Sequence, residues 1–130
     1  MSSKRIHVVA AVIERNNEVF IAKRPQHLHQ GGLWEFPGGK VESHETPYQA
    51  LQRELFEEID IHVSQVQPLI KINHDYSDKS ICLDVWRVTD YAGTPKGKEG
   101  QEISWAPKHS LSRFSFPTAN KPIIAAIVEP

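Results

Sequence analysis

Apolar and polar positions follow two rhythms along the chain, and each rhythm predicts a type of element. His7 to Ile13 is an apolar run rich in β-branched residues and predicts a buried strand; Glu14-Arg15 stops it and Asn16-Asn17 signals a turn. Val19 to Ala22 resumes the strand pattern, so the pair reads as a hairpin. Pro25 to Gly32 carries Pro, Gly and histidines without periodicity and predicts a loop, which leads through Leu33-Trp34-Glu35-Phe36 into Pro37-Gly38-Gly39. A helix follows. Thr46 is a good N-cap, Pro47 fits the first helical position, and Gln49 can close a capping box back to Thr46. Tyr48, Leu51, Leu55 and Ile59 recur at spacings of three and four, one stripe for packing on a sheet. Leu69 to His74 and Ile81 to Thr89 are strand-like runs around the polar cluster Tyr76-Ser77-Asp78-Lys79 and predict an antiparallel pair. Ala92 to Gln101 predicts a Gly/Lys loop, Ile103 to Trp105 a short strand, and Ala119 to Val128 a closing helix capped near Thr118. Strands flanking two helices predict an α/β sandwich of the α+β kind.

The 130 residues suit one domain, 1–130, with no repeat or long linker. A net charge of −1 argues against a protein whose main work is gripping nucleic acid, since phosphate-backbone binding needs surplus Lys and Arg. No stretch approaches the ~20 apolar residues that span a bilayer, so no membrane partner is expected. The single cysteine, Cys82, permits no intrachain disulfide and lies in an alternating apolar segment, where a small buried hydrophobe is expected; this suits a reducing cytoplasm. The histidines lack zinc spacing, and no Ser/His/Asp or P-loop signature is present.

The candidate chemistry lies on the first helix. At 3.6 residues per turn, Glu54, Glu57 and Glu58 fall within an arc of roughly 100° beside the apolar stripe, and Ala50 one turn earlier leaves room against the helix. A solvated charged face is the ordinary explanation of such residues. Against it, Glu54 and Glu58 are like charges at i, i+4, and Glu57, Glu58 and Asp60 crowd the C-terminal end, where the macrodipole disfavours anions. A divalent cation removes both penalties. Spacing alone leaves the two readings open.

The run Gly39-Lys40-Val41-Glu42-Ser43-His44-Glu45, followed after seven residues by Arg53-Glu54-Leu55-Phe56-Glu57-Glu58-Ile59-Asp60-Ile61, resembles the Nudix box. The pattern fixes Gly, then Glu after five residues, then Arg-Glu after seven, an aliphatic, Glu-Glu, and a final Gly-aliphatic. Every fixed position matches except Asp60, which stands for the glycine. Asp tolerates the left-handed conformation wanted at a helix end at a cost of roughly 1 kcal/mol. The resemblance extends over nearly the whole chain and is nearest to MutT-type members acting on oxidised guanine nucleotides, through Phe20 to Arg24, Leu33 to Lys40, Gly97 to Gln101 and Phe116 to Pro122.

The resemblance implies a Nudix-type α/β/α sandwich with a mixed sheet, and Mg²⁺, with Mn²⁺ as substitute, held by Glu54, Glu57, Glu58, Glu99 and the carbonyl of Gly38. It implies attack of water at the β-phosphorus of 8-oxo-dGTP, releasing the monophosphate and pyrophosphate. Glu54 is the first candidate for general base and Glu99 the second. Arg53 would pair with Glu57 at i, i+4 and orient it, Glu45 would sit behind the ligands or stabilise the helix dipole, and Lys40 would attract phosphate. The nucleoside pocket would draw on Arg24, His29, Glu35, Phe36, Pro37, Gly38 and Asn120. An Asn amide offers donor and acceptor to a purine edge, and oxidation at C8 turns N7 from acceptor to donor, which a polar site can discriminate. Three of these also have plainer readings: Asn120 as a helix cap, Phe36 as core, His29 as a loop histidine. Small nucleotides are the expected partners and a monomer the expected state. The rivals are a Nudix enzyme for another nucleotide, such as a pyrimidine triphosphate, and a non-catalytic module that reads oxidised guanine.

Overall fold

The computed structural model describes residues 5–27 and 31–128. A mixed sheet forms its centre, built on β1 (Ile6–Arg15), β2 (Glu18–Lys23), β3 (Trp34–Glu35), β4 (Gly38–Lys40), β5 (His62–Asp75), β6 (Ser80–Ala92) and β7 (Ile103–Pro107). The strand order is β3-β2-β1-β6-β5, with β4 also on β1 and β7 on β2. β1 and β6 run parallel from Ile6/Ile81 to Ile13/Val88, and the other pairings are antiparallel. The β1–β2 hairpin turns at Asn16 and Asn17, with φ of 50° and 65°, the left-handed pair that a two-residue turn of matching twist requires.

The apolar run in β1 is continuous because the strand is covered on both faces. Val9, Ala11 and Ile13, with Phe20, pack under α1 (Pro47–Ile59), which buries Leu51, Leu55 and Ile59. Ala10, Val12, Val19 and Ile21 face the other way, toward Ile123 and Ile127 of α2 (Lys121–Val128). One helix on each face of a mixed sheet is the α/β/α sandwich expected.

α1 begins as its sequence dictates. Thr46 accepts from the Gln49 amide at 3.2 Å, and the Gln49 side chain accepts from the Thr46 amide at 2.9 Å. It ends at Asp60, left-handed at φ 63°, ψ 39°, where the Asp60 amide donates to Phe56 at 3.2 Å and that of Ile61 to Leu55 at 3.5 Å.

Several boundaries differ from expectation. β5 begins at His62 rather than Leu69, because register shifts at Val63/Gln65, Gln65/Val66 and Pro68/Ile70 break the period-two alternation that marks a strand. Pro68 is tolerated because β5 is an edge strand. β3 and β4 are too short to show a pattern. Thr118 opens a 3₁₀ turn, Thr118–Asn120, without a side-chain cap, and α2 starts only at Lys121. Cys82 is half-buried rather than core. Ala50 is fully buried in the core under α1, so the free space expected beside it is filled by protein.

Candidate functional site

The fold brings the glycines of β4 against the acidic face of α1. A Cβ on Gly39 would lie 2.3 Å from the Glu54 carboxyl carbon, so only glycine lets this strand approach the carboxylate. A Cβ on Gly38 would lie 1.9 Å from the Val9 carbonyl oxygen, so Gly38 is required by strand pairing instead.

Arg53 organises one side of the cluster. Its Nε donates to Glu45 at 2.6 Å, Nη2 to Glu45 at 2.9 Å and to the Lys40 carbonyl at 3.1 Å, and Nη1 to Glu54 at 2.8 Å. The expected Arg53–Glu57 contact is the longest of the set at 3.4 Å, and Glu57 is 55 % exposed. Arg53 therefore orients Glu45 and Glu54 first. The two-pronged bond places the Glu45 carboxyl at a pKa of about 2, and the Glu45 side chain is 7 % exposed.

On the other side stands Glu58. It is half-buried, and its Oε2 is buried without a hydrogen-bond partner. Burial raises its pKa to about 9, followed by the negative charge of Glu54 and a hydrogen bond with it, then the charges of Glu35 and Glu99. Glu99 arrives on the loop after β6, which is bolted to the end of α1. Lys98 N donates to the Glu58 carbonyl at 3.1 Å, Lys96 N to Ile59 at 3.1 Å, and Gln101 Nε2 to Glu58 at 3.2 Å, taking up carbonyls that the helix end leaves free. The charges of Glu54 and Glu99 thus bear on Glu58, whose buried Oε2 lacks a partner. That donor set fits a divalent cation, for which hard oxygens are suited. Glu54, Glu57 and Glu58 are not gathered as tightly as Glu42, His44 and Glu45, whose donor atoms lie within 4.8 Å of one another. Glu45 in that second group already carries the Arg53 guanidinium, which opposes a cation there.

Beyond the carboxylates a cleft of about 260 Å³ runs between the sheet and the approach to α2. Arg24, Glu35, Phe36, Gly38 and Asn120, the candidates for a nucleoside pocket, all line it. Arg24 Nη1 donates to Glu35 at 3.2 Å, and burial raises the Glu35 pKa despite that partner. Phe36 combines the two readings of it: it is 5 % exposed, stacks on Phe116 at 5.2 Å, and lines the cleft. Asn120 is 9 % exposed and lies in the wall of the cleft. The Pro37 carbonyl is taken by the Ala11 amide at 2.8 Å. His29 lies outside the described residues.

The cleft also uses residues that the sequence did not single out. Ile6, Ile72, Ile81 and Leu83 supply apolar wall, with His74 and Lys79 farther along. All but Lys79 alternate along β1, β5 and β6, a face that becomes visible only when strand pairing is known.

The NUDIX domain family pattern matches residues 8–126. An 8-oxo-dGTP diphosphatase of Proteus vulgaris is 48 % identical over 77 % of this chain and 90 % of that protein. A CTP pyrophosphohydrolase of Escherichia coli is 38 % identical over 96 % and 93 %. A solved structure of MutT, from Aliivibrio salmonicida or Vibrio cholerae, superposes with a TM-score of 0.82 at 42 % identity, covering 96 % and 98 % of the two chains.

Proposed function

The chain belongs to the NUDIX family, and from that premise we propose that it hydrolyses 8-oxo-dGTP to 8-oxo-dGMP and pyrophosphate, clearing oxidised guanine from the nucleotide pool. The observation that carries the reading is one cleft: Glu35, Gly38 and Gly39 line it, Gly39 against Glu54, and the buried residue Asn120 lines it too. The name shared by the Proteus vulgaris relative supports the substrate.

Glu54, Glu57, Glu58 and Glu99, with the Gly38 carbonyl, would hold Mg²⁺, for which Mn²⁺ could substitute. When bound, the cation offsets the charge of the triphosphate and acidifies water. Glu54, fixed by Arg53, takes the proton of the attacking water, and Glu99 is the second candidate for this role. A bond forms from water oxygen to the β-phosphorus and the bond from that phosphorus to the α–β bridging oxygen breaks, so the monophosphate leaves with that oxygen. Arg53 and Glu45 keep the base in place. Arg24, Glu35, His29 and the Phe36-Pro37-Gly38 segment flank the nucleoside; Lys40 attracts the phosphates. The Asn120 amide pairs with the purine edge, where N7–H distinguishes the oxidised base.

Domain 1–130 works as a monomer in the cytoplasm. No described helix is long and apolar enough to cross a membrane.

The test is Mg²⁺-dependent turnover of 8-oxo-dGTP, dGTP and CTP, with products identified. Preference for the oxidised purine, abolished by Glu54→Gln and blurred by Asn120→Ala, is the expected result. Better turnover of CTP would overturn the substrate in favour of a second reading, which the Escherichia coli CTP pyrophosphohydrolase at 38 % identity favours.

A further inference from the structure

Asp60 occupies a position where glycine is the less strained residue. Its φ of 63° is left-handed, and the box pattern to which the chain otherwise conforms has glycine there. A side chain retained under strain invites the question of what it touches. The Asp60 carboxylate lies 3.2 Å from Lys96 Nζ and 3.7 Å from Lys98 Nζ. Those two lysines are also the residues whose backbone amides cap the Ile59 and Glu58 carbonyls. Lys98 Nζ further sits over the Phe56 ring, 4.4 Å from its centroid. Glu99 follows directly, its amide held at 2.9 Å by Gln101 Oε1, while Gln101 Nε2 returns to the Glu58 carbonyl at 3.2 Å.

We infer that Asp60 is a positioning residue: through Lys96 and Lys98 it ties the 96–101 loop to the end of α1, and so fixes where Glu99 stands beside Glu58. The inference rests on the functional reading above for the role of Glu99, but its geometry stands independently. Backbone bonds alone would dock the loop at two carbonyls; the carboxylate adds a second tie at each lysine, the second of them next to Glu99 in the chain. Both ion pairs are partly exposed, so each contributes modestly and together they bias the loop rather than the whole fold.

The test uses the full, metal-free chain as wild type, Asp60→Gly and Asp60→Asn. Glycine removes the strain and the carboxylate together; asparagine tolerates the left-handed backbone but lacks the charge. Amide exchange at residues 96–101 should quicken about fivefold in both variants, as expected for losing two exposed ion pairs. The dissociation constant for Mn²⁺, read by electron paramagnetic resonance without nucleotide, should rise severalfold. The Tm of Asp60→Gly should equal or exceed that of wild type, which a merely structural role for the ion pairs would not give. Unchanged exchange and Mn²⁺ affinity in both variants would overturn the inference. So would faster exchange with unaltered affinity, or a wild type that binds no Mn²⁺. A wild type that binds Mn²⁺ but hydrolyses no nucleotide would sink the proposed reaction and leave this inference standing.

Discussion

The adjacent glycines of β4 should separate chemistry from folding when each is replaced by alanine. At Gly39 the new Cβ would stand 2.3, 2.4 and 2.5 Å from the carboxyl carbon and both oxygens of Glu54, where ordinary contact begins near 3.4 Å. Its backbone is not left-handed, so alanine adds no conformational strain. The obstacle is the far end of a flexible side chain, and Glu54 can retreat by about 1 Å at little cost to the fold. That retreat pulls the base away from the place Arg53 sets for it. A misplacement of about 1 Å costs on the order of 10²-fold in rate, or about 2.7 kcal/mol of barrier. Gly39→Ala should therefore fold with a Tm within a few degrees of wild type and lose about 10²-fold in kcat/KM. At Gly38 the clash is with backbone, 1.9 Å from the Val9 carbonyl oxygen and 2.8 Å from the Ala10 Cα, where the β1–β4 pairing begins. Neither atom can swing aside. Gly38→Ala should lower stability by about 3 kcal/mol or more. Thermal unfolding and steady-state kinetics on both variants decide the matter. A Gly39→Ala enzyme within threefold of wild type would refute the argument that close approach of β4 sets the position of Glu54.

Arg53→Lys keeps the charge but cannot reproduce the two-pronged bond to Glu45, so it should cost about 1–3 kcal/mol and lower turnover; equal Tm would contradict this. Metal-free stability should depend on pH in two windows. Folded Glu58 keeps its proton up to about pH 9, against 4.5 ordinarily, so the native state binds more protons between those values and stability falls as pH rises through them. Folded Glu45 releases its proton down to about pH 2, so its contribution is present above 4.5 and is lost as pH falls toward 2. Stability in a chelator, read by thermal unfolding, should thus be greatest near pH 4–5, and its maximum should shift toward neutrality when Mg²⁺ is added; a flat profile from pH 5 to 9 in the chelator would contradict the Glu58 assignment. Thr46→Ala removes half of the capping box and should cost about 1 kcal/mol by denaturant unfolding, without changing KM.

The sequence by itself determined what is local. The capping box at Thr46 and Gln49, the apolar stripe of α1, the Asn16-Asn17 turn and the offsets from Gly39 to Ile61 all involve residues within a few turns of one another, so spacing alone carries them. The two helices followed from the same patterns, and their placement on opposite faces from the family resemblance. Only the tertiary structure decided what depends on pairing between distant segments. It added Arg53–Glu45 and Arg53–Glu54 as shorter bonds beside the expected Arg53–Glu57 pair, because β4 and the chain after it fold back over α1. It filled the space beside Ala50 with core and moved the close approach to Gly39. It placed Glu99 near Glu58 across a long stretch of chain, and it joined Asn120 to the wall formed by Ile6, Ile81 and Leu83. A strand's face and register are set by its neighbours, and bulges such as those in β5 erase even the alternation that would announce it. The chemistry of the box is written in one helix, whereas the cleft it serves exists only once the sheet has closed beside it.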